Sequence, residues 1–189
     1  GLVVGIVSGY YGGRVDNFIM RLVDFVMIIP GFILFITLNT ILKANTVLGI
    51  SLTFSVIYWT SYARLFRTRT LSEASKDYIN ASKTMGTRDW KIMLTELLPN
   101  ISSLIITQLV LSMAGNIGLE TGLSYLGFGL PIGTPSLGTL IGTAKTADII
   151  ENKQWVWLPA ALFILVLMLC INYIGQAVQR STDARQRLG

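Results

Sequence analysis

Charge is missing from this chain in blocks. Residues 25–42, 44–63, 100–119, 121–144 and 154–179 contain no Asp, Glu, Lys or Arg. A hydrocarbon core about 30 Å thick takes roughly 20 helical residues to cross, so each block is long enough, or nearly so, to span a bilayer. A soluble helical bundle would need charge along the outer face of each helix, and these blocks have none. The pattern predicts an all-α, polytopic transmembrane bundle forming a single domain over residues 1–189. It places a partial span at 1–9 and full spans near 25–42, 44–63, 100–120 and 155–176.

Interruptions refine this pattern. Pro30-Gly31 predicts a kink or broken turn inside the block 25–42. The block 121–144 holds six glycines and two prolines, poor material for a lipid-facing helix. The stretch 121–154 is therefore expected to be an external loop or re-entrant segment that lines a cavity or packs on protein. Ser112, Ala114, Gly115 and Gly118 put small residues along one span, where another helix can approach closely. Trp155 and Trp157 at one end of the last span, and Tyr58, Trp59 and Tyr62 near the end of another, stand at interface-anchor positions.

The placement of basic residues then orients the spans. With Arg14 and Arg21 in the cytoplasm, twelve of the fifteen Lys and Arg residues fall inside and only Lys43, Lys145 and Lys153 outside. A span through 121–144 would reverse the C-terminal tail with Arg180, Arg185 and Arg187, so charge argues against one there. The net charge of +5 thus reflects membrane topology and not nucleic-acid binding. Hydrophobic residues at 52 % and charged residues at 13 % agree with a membrane protein.

Little catalytic chemistry is available. There is no histidine, hence no Ser-His or Cys-His pair and no H-E-x-x-H metal site, and no G-x-x-x-x-G-K-[ST] phosphate loop. Cys170 is the only cysteine and reads as a small packing residue. No cofactor, metal or enzymatic role is expected. Gly1 opens inside an apolar stretch without an initiating Met or a signal-peptide pattern, so the chain is expected to be the remainder of something longer.

Between two spans lies a stretch, 64–99, with seven basic and four acidic residues. Ser72 is expected to cap a helix ending at Gly86, and Thr87 a second helix with Asp89 in its first turn that stops before Pro99. Two short helices bent at a glycine make a compact elbow.

Here the chain resembles a family. Asn80-Ala81-Ser82-Lys83-Thr84-Met85-Gly86, with Leu98-Pro99 twelve residues after the glycine, resembles the EAA motif of binding-protein-dependent ABC importer permeases. That motif reads E-A-A, three residues, G, nine residues, I, one residue, L-P. Asn80, Ser82 and Glu96 depart from it. Gly9-Tyr10-Tyr11-Gly12-Gly13, Asp16, Met20-Arg21, Asp24 and Pro30-Gly31 extend the likeness. So do Tyr62-Ala63-Arg64, the run from Glu120 to Gly129, Thr134-Pro135-Ser136 and the Trp157 to Pro159 entry to the last span. The chain is most similar to the C-type permease of dipeptide, oligopeptide and nickel importers. Such permeases usually have six spans, so the resemblance implies that a first span and the external segment after it are missing here.

The resemblance implies a coupling elbow seated on an ATPase. Ala81 and Gly86 would be its close-packing points, and Tyr78, Ile79, Ser82, Lys83 and Met85 its contacts. Asn80 would replace an acidic residue there, and Pro99 would close the loop. It also implies a homologous second permease, two ABC ATPase subunits that hydrolyse ATP, and an extracellular or periplasmic substrate-binding protein. The setting would be a bacterial or archaeal cytoplasmic membrane. Peptides are the expected substrate, nickel or a metal chelate the alternative. A channel or ion-coupled secondary transporter would need charges near the bilayer midplane, and the spans have none. Gln108, Asn116 and Glu120 are candidates for the translocation path or gate. Pairing of Glu120 with Lys145 or Lys153 is an equal alternative.

Overall fold

The computed structural model describes residues 1–42, 46–131 and 133–187, so Lys43 and Ile132 lie outside the described residues. Helix follows helix with no strand among the described residues. The order is α1 (Leu2–Tyr11), α2 (Gly13–Met27), α3 (Gly31–Leu42), α4 (Val47–Ala74), α5 (Asp77–Thr84), α6 (Asp89–Ile92), a π turn (Met93–Leu97), α7 (Leu98–Asn100), α8 (Ser102–Leu126), α9 (Leu137–Gly142), α10 (Ala147–Asn152) and α11 (Gln154–Arg187). Two compact units result, one of Gly1–Leu38 with Leu52–Ser102, the other of Asn39–Ser51 with the chain from Ser103 onward.

The first unit is organised on α4. Gly1, Gly5 and Gly9, at four-residue spacing, turn one bare face of α1 against it. A Cβ on these glycines would lie 2.7, 2.6 and 2.8 Å from the backbone oxygens of Trp59, Ala63 and Arg67. Both sets advance four residues at a time in the same direction, so α1 lies parallel to α4, backbone against backbone. The C-terminal ends of both helices therefore share one end of the unit, with Arg14, Arg21, Arg64 and Arg67.

The chain reverses after α1 at Gly12 and Gly13, whose φ of 61° and 53° favour glycine. It breaks again after Met27, where α2 and α3 meet at 76°. The block expected as a span at 25–42 is therefore a bent pair, and its break falls at the Pro30-Gly31 signal. Pro30 has no N–H to continue the ladder, and it biases Ile29 out of the helical region. Beyond the break α3 runs antiparallel to α4, with Gly31 against Ile57 and Tyr58 and with Phe35 stacked on Phe54 at 4.6 Å.

In the second unit α8 and α11 lie antiparallel, Gly118 against Met168 and Gly175 against Leu111. Of the small residues expected to face a helix, Ala114 is buried, while a Cβ at Gly115 would meet nothing within 4 Å. Two helices, Ser102–Leu126 and Gln154–Ser181, are long and apolar enough to cross a membrane, and the count reaches three only if the bent pair is one span; α4, which carries the span expected at 44–63, is not among them. Several boundaries shift. α4 runs eleven residues past the expected end at 63, and α8 runs on through 121–126, which were expected to be loop. α11 likewise continues past 176. Charge marks where a span leaves lipid, not where its helix stops.

Gly5→Ala in the full-length protein should cost about 1–3 kcal/mol, because the neighbour is backbone and cannot swing aside. Gly115→Ala should be neutral or slightly stabilising. Thermal unfolding in detergent distinguishes the two. Equal midpoints would mean that α1 does not rest on α4 in this way.

Candidate functional site

The elbow begins inside α4. Ser72 lies in the last turns of that helix and is not a cap. The helix runs on because the 64–74 segment contains no Gly or Pro. Lys76, with extended backbone, is the N-cap of α5. Glu73, at the end of α4, is buried and takes hydrogen bonds from Lys76 Nζ and the Tyr78 hydroxyl, both at 2.8 Å. Burial acts to raise its pKa, but these two donors outweigh it and hold the carboxyl below its ordinary value. Burial, then the Glu73 carboxylate, push the Tyr78 hydroxyl well above its ordinary value. Asn100 donates to the same hydroxyl at 3.0 Å, tying the far end of the elbow to its start.

Gly86 ends α5 as expected. Its φ is +78°, Gly86 N–H donates to the Lys83 carbonyl at 3.0 Å, and Thr87 N–H donates to that of Ser82 at 3.1 Å. These are the two bonds of a Schellman turn. Arg88, not Thr87, is the next N-cap, with Asp89 in the first turn. Nor does the second helix stop before Pro99. It widens into the π turn Met93–Leu97 and carries the proline inside α7. The proline ring would clash with the Thr95 carbonyl four residues back in a regular α-helix, and the wider turn gives it room.

Within the elbow Ile79, Ile92 and Leu97 are fully buried. Ser82 is buried too, and its hydroxyl reaches both carboxylate oxygens of Glu96 at 2.8 Å. Ile79 and Ser82 were expected as outward contacts. They face inward and hold α5 against the π turn. Tyr78, Asn80, Ala81, Lys83, Met85, Gly86 and Pro99 are exposed. Trp90 and Leu94, one turn apart, join Met85 as large apolar side chains on the elbow's surface. The sequence reading missed both, although an exposed Trp in a polar segment is itself a signal.

The elbow is also tied to α1. The Tyr10 hydroxyl donates to Asp89 at 2.9 Å, and Lys83 Nζ stands 4.5 Å over the Tyr10 ring. Five residues beyond α1's end, Asp16 clamps the turn. Asp16 is buried, accepts two hydrogen bonds from the Arg67 guanidinium and one from Ser8. The Arg67 bonds hold its carboxyl below the usual range against the opposing effect of burial, with Ser8 adding to them.

In the second unit Glu120 accepts hydrogen bonds from Ser124 at 2.8 Å and Ser136 at 3.2 Å. The alternative of an ion pair with Lys145 or Lys153 is not formed among the described residues, and Lys153 pairs with Asp148 at 2.7 Å. Ser136 and Thr139 cap α9 reciprocally, so the carboxylate braces the segment 134–139 onto α8. The residues of two separate sequence motifs, at 120–129 and 134–136, thereby meet. Beside them a cavity of about 880 Å³ is lined by Ser124, Gly127, Pro131, Ser136, Thr139 and Lys145, among others. Gln108 is half-buried and Asn116 exposed on α8.

Residues 1–187 match the family described as binding-protein-dependent transport system inner membrane component. The chain belongs to that family. Among its relatives, the oligopeptide transport system permease protein OppC of Lactococcus lactis subsp. lactis (strain IL1403) is 47 % identical over 186 residues, covering 98 % of this chain and 63 % of that protein. OppC of Mycobacterium tuberculosis (strain ATCC 25618 / H37Rv) is 35 % identical over 189 residues, covering 97 % and 63 %. The dipeptide transport system permease protein DppC of Haemophilus influenzae (strain ATCC 51907 / DSM 11121 / KW20 / Rd) is 32 % identical over 188 residues, covering 98 % and 62 %. The chain therefore spans less than two thirds of the length of the curated relatives it matches.

Two of the three departures from the EAA motif prove to be one interaction, Ser82 with Glu96. Ser82→Ala should leave a carboxylate without its donor, and Glu96→Ile should leave a hydroxyl without its acceptor. The double variant restores the apolar pairing, so thermal unfolding should give a coupling of about 0.5–3 kcal/mol in a double-mutant cycle. Additive losses would mean that the contact is incidental.

The Asp16 clamp has a pH signature. Its carboxyl pKa is depressed on folding, so its contribution is present above the unfolded value of about 3.9 and is lost as pH falls through the folded one. Asp16→Asn should cost about 1.5–3 kcal/mol at neutral pH. Its midpoint should begin to approach that of the native protein as pH falls below about 4 and meet it only below the folded value.

Proposed function

We propose that the chain is a permease subunit of an ATP-driven importer, supplying half of a translocation path for peptides. The observation that carries this reading is the elbow. A folded, internally hydrogen-bonded knob with exposed Tyr78, Lys83, Met85 and Trp90 stands directly on the end of α4, with no flexible tether between them. Such a knob transmits a push into a helix, which a loose loop does not. Its docking partner is an ABC ATPase subunit, which hydrolyses the ATP because this sequence has no phosphate loop.

The relatives' names, oligopeptide and dipeptide permeases, support peptides as cargo and give the nickel reading no support. By the same likeness the chain pairs with a homologous second permease and two ATPase subunits, receives cargo from an extracellular or periplasmic binding protein, and sits in a bacterial or archaeal cytoplasmic membrane. ATP-driven closure of the ATPase pair moves the elbow, and differential binding of the two states drives the switch. Gln108 and Asn116 are the residues we assign to the path, while Glu120 serves to brace the 134–139 segment.

Trp90→Ala and Gly86→Val, made separately in the assembled transporter, test the elbow. Each should lower peptide-stimulated ATP hydrolysis and uptake by about tenfold or more, the loss of one interface anchor. The two permeases should still co-purify. Unchanged coupled hydrolysis in both variants would overturn the docking assignment.

A further inference from the structure

The helix α2 divides its surface into three. Asp16 and Val23 are buried against the rest of the unit. Val15, Phe18, Leu22 and Phe25, spaced three, four and three residues apart, form an exposed apolar stripe in which Phe18 and Phe25 are 73 % and 72 % exposed. One residue earlier at each step, Arg14, Asn17, Arg21 and Asp24 form an exposed polar stripe beside it. Each exposed stripe is suited to a different medium, and the two lie along the same helix.

Its inclination agrees with its surface. From Asp16 to Asp24, eight residues or about 12 Å along α2, the ion-pair partner on α4 moves only from Arg67 to Arg64, about 4.5 Å. From Gly31 to Phe35 along α3, the neighbour moves from Ile57 and Tyr58 to Phe54, nearly residue for residue. So α3 runs alongside α4, while α2 crosses it obliquely on the far side of the 76° bend. The crossing falls at Arg64 and Arg67, where the uncharged run 44–63 ends and charge begins. That is the depth at which a membrane helix passes from acyl chain to headgroup.

We propose that α2 is not the first half of a span but an interfacial helix. It lies along the cytoplasmic boundary of the bilayer and is bound there by anionic phospholipid. Val15, Phe18, Leu22 and Phe25 enter the acyl region, and Arg14 and Arg21 meet the phosphates. A strongly two-sided helix of low overall hydrophobicity, with arginines beside phenylalanines, has the composition of such helices. Neither Arg14 nor Arg21 makes an ion pair or side-chain hydrogen bond with the described residues, which leaves both for a headgroup, whereas Arg64 and Arg67 are taken up by Asp24 and Asp16. The lipid contact is independent of ATPase docking, since it uses none of the elbow's residues.

Depth-resolved quenching tests it. Phe18→Cys and Phe25→Cys are made in the full-length protein with Cys170→Ser, purified with its partner subunits, and labelled with an environment-sensitive fluorophore. The samples are reconstituted into phosphatidylcholine vesicles with or without phosphatidylglycerol, carrying phospholipid brominated either near the headgroup or deep in the chain. Shallow bromines should quench both positions at least about twofold more than deep ones, the reverse of a Val166→Cys control in the middle of α11. Phosphatidylglycerol should raise that shallow quenching, and Arg14→Gln with Arg21→Gln should abolish the increase. Val15→Cys and Leu22→Cys, on the same stripe, serve if the phenylalanine variants do not assemble. Deeper or equal quenching by the deep label would make α2 part of a span. Absence of quenching by either would place its stripe against another subunit or in water. A phosphatidylglycerol effect that is missing, or unchanged by the arginine variants, would remove the anionic lipid. Each of these results overturns the proposal.

Discussion

Close approach of two backbones, α1 on α4, sets the geometry of the first unit. Gly1, Gly5 and Gly9 remove the side chains that would hold the helices apart, so the carbonyls of Trp59, Ala63 and Arg67 become the floor on which α1 lies. In lipid there is no hydrophobic gain from helix association, and close packing supplies the attraction in its place. The consequence is positional. Ser8, one residue before the last glycine of the stripe, arrives beside Arg67, so the turn at Gly12 and Gly13 can deliver Asp16 to both of them. Tyr10, just beyond the stripe, reaches Asp89 in the elbow. A bulky residue at Gly5 would disturb three contacts in which it takes no part.

The elbow's interior follows a different logic. A buried hydroxyl and a carboxylate replace the apolar pair that the motif would place at 82 and 96. A buried polar group is tolerable only when it is satisfied, and here each satisfies the other. Glu73 is met in part: Lys76 and Tyr78 both donate to its Oε1, while its buried Oε2 has no hydrogen-bond partner among the described residues. The elbow is thus a hydrogen-bonded body with a small apolar centre of Ile79, Ile92 and Leu97, not a greasy knot. Its exposed apolar residues, Met85, Trp90 and Leu94, are not needed for its own core.

Much of this was legible in the sequence, for identifiable reasons. Gly86 announced a helix end because a left-handed residue at that position strongly favours glycine, and Pro30 announced a break because it lacks an N–H. Helix class and membrane character followed from uncharged blocks long enough to cross a bilayer. The errors share one cause. Ser72 has the residue type of a cap but lies in a run without Gly or Pro, so α4 passes through it. Pro99 looks like a stop, and a π turn upstream accommodates it. Local signals state what a residue permits, whereas packing decides whether the permission is used. The glycine stripe escaped notice because its first member sits at residue 1, where it reads as an end and not as the start of a period. The inward turn of Ile79 and Ser82 was not legible either. A motif gives spacing along the chain, but which side of a short helix faces its own protein depends on where Glu96 returns to meet it.

The continuity of α4 gives these observations a mechanical sense. At 28 residues it is about 42 Å long. The part beyond Arg64 and Arg67 carries the elbow on a helical stem. A stem of that kind would tilt freely if it were held only by lipid. Here it is held by α1's glycines on one face and by Asp16 and Asp24 of α2 on another. Displacement of the elbow therefore has to move α1 and α2 with α4, or break a buried ion pair. The glycine stripe and the aspartate clamp join the C-terminal part of α4 to α1 and α2, so within the first unit a force applied to Gly86 acts on these helices together and not on a hinge.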